Sequence, residues 1–138
     1  MADVKVEIVA PERLLVSETA QSVTVPGTDG YFTVLGEHAP LMTTLRPGFI
    51  TAVVGNASQV FFVRGGFADV APEGLTILAE QALPLAEFDP ASIDGDLQGA
   101  ELALAAASTP EEKSAATDSL NAWRNLKTEA LQVAGTAH

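Results

Sequence analysis

The amino-acid sequence changes character once, at Ala86-Glu87, and that break limits what the chain can fold into. Before it, short apolar runs recur at regular spacing with a turn signal between each pair. Val4–Ile8, Arg13–Val16, Gln21–Val25, Tyr31–Leu35, Leu41–Leu45, Phe49–Val54, Gln59–Val63, Phe67–Val70, Leu75–Leu78 and Gln81–Leu85 all read as strands. Val4, Val6 and Ile8 alternate with Lys5 and Glu7, the pattern of a strand with one face on a core. Pro26-Gly27, Pro47-Gly48, Gly55-Asn56 and Pro72-Glu73-Gly74 supply the reversals. Pro84 confines the last run to an edge or an end, because it has no N–H for a ladder. Gly65-Gly66 reads as a bulge or sharp bend in a sheet, not a phosphate loop, since no helix starts after it. The fold class that follows is an N-terminal antiparallel β-sandwich or barrel over residues 1–86.

After Glu87 the alternation stops and Ala dominates. Asp89-Pro90 is a helix start, with Asp as N-cap and Pro at the first helical position. Ile93, Leu97, Ala100, Leu104 and Ala107 fall on one helical face. Thr109 and Glu112 have capping-box spacing around Pro110, so a second helix begins there. Its stripe is Ala116, Leu120, Trp123, Ala130 and Val133, with Leu126 beside it. Residues 87–138 are therefore expected to form an antiparallel two-helix hairpin, marginal by itself because its stripes are narrow and rich in Ala. Residues 1–86 are expected to fold without it.

Composition removes several classes of function. Lys+Arg is 7 against Asp+Glu 18, a net charge of −11, which argues against a nucleic-acid surface and against direct docking on anionic lipid. The hydrophobic content of 47% supports a real core. There is no Cys, hence no disulfide or thiol chemistry. No apolar run approaches the ~20 residues of a membrane span, and the N-terminus lacks the apolar core of a signal peptide, so the chain is expected to stay in the cytoplasm without inserting into a bilayer. No nucleophile elbow, P-loop or metal-ligand cluster is present, so no catalytic residue, metal or cofactor is expected. A cupin-type enzyme is excluded by having only two histidines, one of them terminal. Asp94 and Asp96 near Glu101 read as a solvated helix face, and Trp123 as an anchor between helices.

The loop Gly36-Glu37-His38-Ala39-Pro40 puts a histidine between a glycine and a proline. Pro40 pushes Ala39 towards extended geometry, so the segment is not helical and is placed to meet a partner. Taken by itself, His38 reads as a solvated loop residue, since no third ligand lies at metal spacing.

Two stretches carry a resemblance. GYFTVLGEHAPLMTTLRPGFI, from Gly30, resembles the pattern G-x-x-G-x-L-P-G-H-A-P-L-x-T-x-x-x-P-G of the ε subunit of F-type ATP synthases. VRGGFADVAPEGLTILAE is similar to that family's S-G-G-x-x-E-V-x-x-x-x-V-T-V-L-A-D. The likeness covers Val4 to Glu80, with departures at Thr33, Gly36-Glu37 and Arg64. It implies a non-catalytic central-stalk subunit, peripheral on the cytoplasmic face of the inner membrane. It also implies a γ subunit and a c-ring as partners, and catalytic-head subunits as a further partner of the hairpin. The position of Tyr31 is implied to meet the c-ring, and those of His38 and Thr43 to face γ, with Ala39 and Pro40 in the same interface. In some members the first helix begins I/L-D-x-x-R-A, and its Arg holds ATP phosphate. Here Asp89 is kept but Ser92 stands at the Arg position, so poor ATP binding is expected, and Asp89, Arg124 and Lys127 are left as weak regulatory contacts. The rival class is a free-standing small-molecule-binding β domain, which would need an apolar pocket with convergent polar groups.

Overall fold

A computed structural model describes residues 3–36 and 39–136, with side chains described as far as Val133. The chain divides into two compact units, the first ending at Glu87 and the second beginning at Phe88.

The first unit holds eight strands: β1 (Val4–Ala10), β2 (Arg13–Ala20), β3 (Ser22–Gly27), β4 (Gly30–Val34), β5 (Leu41–Thr44), β6 (Gly48–Val54), β7 (Ala57–Ala71) and β8 (Gly74–Pro84). Four of the expected runs merge into two long strands. Gln59–Val63 and Phe67–Val70 are one strand, β7, and Leu75–Leu78 joins the next run as far as Pro84 in one strand, β8, with Leu85 opening a 3-10 turn. The reason lies in Gly65 and Gly66, at φ +70° and +119°. These angles are open to glycine and bend the strand without adding a residue. The β7–β8 register is the same on both sides of the bend, Arg64 opposite Gln81 and Gly66 opposite Ala79. The bulge in the sheet sits elsewhere, in the β1–β2 hairpin, where the register shifts between Ile8 and Val9.

The bend lets β7 change neighbours. Its first half pairs with β6 and its second half with β5. Two layers result. One is β5, the second half of β7, the first half of β8, β1 and β2. The other is the second half of β8, the first half of β7, β6, β3 and β4. All pairs are antiparallel except β1 with β8, which run parallel. The first and last strands of the unit meet there, and a whole domain of chain separates them, so no hairpin constrains their direction.

Between the layers lie Val6 and Ile8 of β1, Val23 and Val25 of β3, Ile50 of β6, Val63 of β7 and Leu75 and Ile77 of β8, among others. Ile8, Ile50 and Ile77 are fully buried, and each such side chain contributes about 1.5–3 kcal/mol. The core is largely β-branched, which suits a pleated surface and leaves few rotamers to lose.

In the second unit the helix start at Asp89-Pro90 opens as a 3-10 turn, Pro90–Ile93, before α1 (Asp94–Ala106). The Asp89 carboxylate accepts from the Ala91 N–H at 2.9 Å, so the expected cap is made on the 3-10 turn. Thr109 caps α2 (Pro110–Thr136) through the Glu112 N–H at 3.1 Å. The Glu112 carboxylate returns to Ser108 N–H, one residue earlier than a capping box would place it. Of the expected stripes Ile93, Ala100, Leu120 and Ala130 are buried, and Leu126 is as buried as Leu120.

Candidate functional site

Of the residues expected to meet partners, His38 lies outside the described residues. Ala39 and Pro40 are exposed on the segment leading into β5. Thr43 is half-buried and pairs with buried Ala68, so its side chain takes the core-facing phase of β5. The outward phase belongs to Met42 and Thr44.

Tyr31 is held as a fixed platform. It pairs with Pro26 across the β3–β4 hairpin, and its hydroxyl accepts from the Phe49 N–H at 3.0 Å. Gly48 is the reason the ring fits. A Cβ there would stand 2.6 Å from Pro26 Cβ and 2.8 Å from the Tyr31 hydroxyl, closer than real Cβ contacts allow. The Arg46 guanidinium carbon lies 5.1 Å from the Tyr31 ring centroid, a cation–π stack. Beyond Phe49 the face continues, with the Phe49 and Phe62 rings 5.5 Å apart and Arg64 stacked 5.3 Å over Phe62.

The other layer carries a second surface on its outer face. Register partners taken in turn across five strands are Thr44, Phe67, Leu78, Val9 and Leu14. Phe67 and Leu78 are each 52% exposed and Leu14 57%. At about 4.8 Å per strand this row is roughly 20 Å long. The neighbouring row, two residues along each strand, is Met42, Asp69, Thr76, Glu7 and Ser17. An apolar row flanked by Asp69 and Glu7 has the make-up of a docking face for a helix with an apolar stripe and basic residues beside it. Sequence reasoning missed this row. One signal was available, since Leu78 stands on the outward phase of a strand whose Leu75 and Ile77 point inward.

In the hairpin, Lys127 is engaged internally. Its ammonium donates to the Asp94 carboxylate at 2.6 Å and to the Pro90 carbonyl at 3.2 Å, tying α2 to the start of α1. Arg124, one turn earlier, has an exposed side chain. Lys127→Met should lower hairpin stability by about 0.5–1 kcal/mol, the usual range for a partly exposed pair. Faster amide exchange at 91–94, with residues of the sandwich unchanged, is the readout. Unchanged exchange at 91–94 would show the tie to be without effect.

The rival small-molecule reading finds little support. An open hollow of about 140 Å³ over Lys5, Glu7, Asp69, Glu73 and Thr76 is small and lined by charged groups. Ligand sites are typically about 300–1,000 Å³ and mostly apolar. Among the described residues no group of three or more His, Asp or Glu is placed to hold a metal ion, and no helix is long and apolar enough to cross a membrane.

Comparison with known proteins agrees with the geometry. The family model of the ATP synthase Delta/Epsilon chain β-sandwich domain matches residues 3–85. The ATP synthase epsilon chain of Parvibaculum lavamentivorans is 40% identical over 122 residues, covering 88% of this chain and 92% of its own. That of Brucella anthropi is 43% identical over 111 residues, 80% and 82% of the two chains. Among solved structures, a chain of the Euglena gracilis mitochondrial ATP synthase, in its OSCP/F1/c-ring part, has a TM-score of 0.69 at 21% identity, covering 97% of this chain and 82% of that one. A chain from the central stalk and c-ring part of the Tetrahymena thermophila enzyme has a TM-score of 0.65 at 19% identity, with 92% and 95% covered. The matched sandwich, the matched length and the identity to these bacterial chains together place the protein in the ATP synthase epsilon chain family.

Proposed function

We propose that the protein works as a non-catalytic rotor subunit in the central stalk of an F-type ATP synthase. It seats γ on the outer face of the β5–β7–β8–β1–β2 layer and meets the c-ring through the Tyr31 end of the other layer. It then sits peripherally on the cytoplasmic face of the inner membrane, held by its partners. The observation that carries this reading is the outward-facing row Phe67–Leu78–Val9–Leu14 on a two-layered, β-branched sandwich. A stalk that transmits torque needs such a stiff part, and a row of large apolar side chains left in water needs a partner. The test is assembly. The full chain should form a stable one-to-one complex with γ, and that complex should bind the purified c-ring. A chain that stays monomeric with γ would overturn the reading.

The hairpin serves this function as a weak regulator at most. An inhibitory hairpin would have to lay cations against the catalytic head. Residues 87–138 hold Lys113, Arg124 and Lys127 as strong cations, against Glu87, Asp89, Asp94, Asp96, Glu101, Glu111, Glu112, Asp118 and Glu129. Lys127 is already bonded to Asp94, which leaves fewer still. An acidic helix pair lacks the cations that such a contact would need. Deleting residues 87–138 should therefore change ATP hydrolysis by the assembled complex less than about twofold. A tenfold rise, worth about 1.4 kcal/mol, would show strong inhibition in spite of the charge.

A further inference from the structure

Arg46 is an arginine whose hydrogen bonding the fold leaves incomplete. Its backbone N–H donates to the Pro26 carbonyl at 3.0 Å, which fixes where the side chain starts. Its guanidinium lies on the Tyr31 ring, and that ring is itself locked by the Phe49 N–H and by the missing Cβ of Gly48. A stacked guanidinium keeps all its donors at its edge, in one plane. Yet Arg46 Nε is buried with no hydrogen-bond acceptor among the described residues. A position serving only stability would recruit a carbonyl there or hold an apolar side chain, because an unmet buried donor is costly.

The charge setting sharpens this. The arginines are Arg13, Arg46, Arg64 and Arg124, in a chain of net charge −11. Two of them, Arg46 and Arg64, lie on aromatic rings of the same layer, linked through Phe49 and Phe62. The Tyr31 end thus sets the Arg46 guanidinium on a ring held fixed beneath it, with Nε left unmet, in a chain that is acidic as a whole. A planar fork of donors on a fixed platform suits a carboxylate, which takes two parallel N–H bonds.

We propose that Arg46, held flat on Tyr31, determines specificity for the membrane ring by taking a carboxylate that the ring presents. This rests on the reading that the Tyr31 end meets the ring. In that contact Tyr31 positions the guanidinium and Arg46 makes the bond.

The test uses the full chain in complex with γ, and purified c-ring in detergent, with binding measured at two salt concentrations. Arg46→Gln should weaken ring binding about tenfold and flatten its salt dependence, with γ binding and the melting temperature held. Arg46→Lys should recover part of the loss, since it restores the charge without the fork. Tyr31→Leu should weaken ring binding while Arg46 is still present. Ring binding by Arg46→Gln equal to the parent's, with the same salt dependence, would overturn the proposal. So would an equal loss of binding to γ alone, which would place the carboxylate on γ. A parent chain that joins γ but never the ring would overturn the ring contact itself, and with it the proposal, while leaving the γ seat intact.

Discussion

Gly66→Ala should unfold the sandwich at temperatures where the parent is fully native. Gly66 sits at φ +119°, outside the regions an L side chain adopts. A Cβ there would stand 2.1 Å from the Leu78 carbonyl oxygen and 2.8 Å from Ala79 Cα. Both neighbours are backbone of β8, so no rotamer change relieves the clash. Gly66 also accepts, through its carbonyl, the N–H of Leu45 at 2.9 Å. Any shift that makes room for the methyl group pulls on that bond and on the β7–β8 register together. Backbone strain of about 1–3 kcal/mol adds to overpacking of about 1–3 kcal/mol. A loss near 3 kcal/mol lowers the melting temperature of a domain of this size by roughly 12–24 °C. Gly65 makes the comparison specific. At φ +70° its nearest neighbour would be the flexible Glu80 carboxylate, 3.0 Å away, so Gly65→Asn should cost only about 1 kcal/mol. Equal melts for the two variants, both within about 3 °C of the parent, would show that the bend does not need glycine.

The same bend marks how far the sequence could be read. Strand positions were legible because Val, Ile and Phe alternate with polar residues, and the two-part organisation was legible because that alternation stops at Ala86-Glu87. Strand continuity was not. Gly65-Gly66 interrupts the pattern of side chains without shifting the register, and periodicity reports only the former. The parallel pairing of β1 with β8 was hidden for a related reason, since alternation says which face a residue takes and nothing about which strand lies beside it. In the hairpin, Leu126 and Lys127 show the limit of a single stripe. The stripe placed Leu126 at its margin, whereas the packing buries it and turns Lys127 towards Pro90 and Asp94.

Partner contacts at Tyr31, His38, Ala39, Pro40 and Thr43 are proposed through resemblance, and no periodicity or spacing points to them. Thr43 illustrates the physical difficulty. The motif marks it, yet its side chain shares a phase with buried Ala68, and the neighbours Met42 and Thr44 hold the outward positions. Arg46 was invisible because a lone arginine before Pro-Gly reads as a solvated turn residue. Its value depends on a ring supplied from fifteen residues upstream.

Phe67→Glu should nearly abolish association with γ and leave the fold intact. Phe67 and Leu78 are at the middle of the outer row, on β7 and β8, with Thr44 and Leu14 towards its ends. Binding energy concentrates at the centre of an interface and in aromatic side chains, where truncation costs about 2–4 kcal/mol. Replacing the ring with a carboxylate removes that contact and also forces a charge against the partner's apolar stripe. The expected loss is about 30- to 1,000-fold in affinity. The sandwich should tolerate the change, because the Phe67 side chain is 52% exposed and stands on the outer face, away from the core between the layers. Leu14→Glu, on the edge strand β2, should weaken γ by less than about tenfold, since rim positions carry less of the energy. Lys substitutions separate charge from burial. Next to Asp69 a lysine gains a local partner, so Phe67→Lys should melt at least as high as Phe67→Glu and still fail to bind γ. Titration of γ with each variant, followed by thermal melts, gives the answer. Affinity of Phe67→Glu within threefold of the parent, at an unchanged melt, would remove this row as the seat of γ.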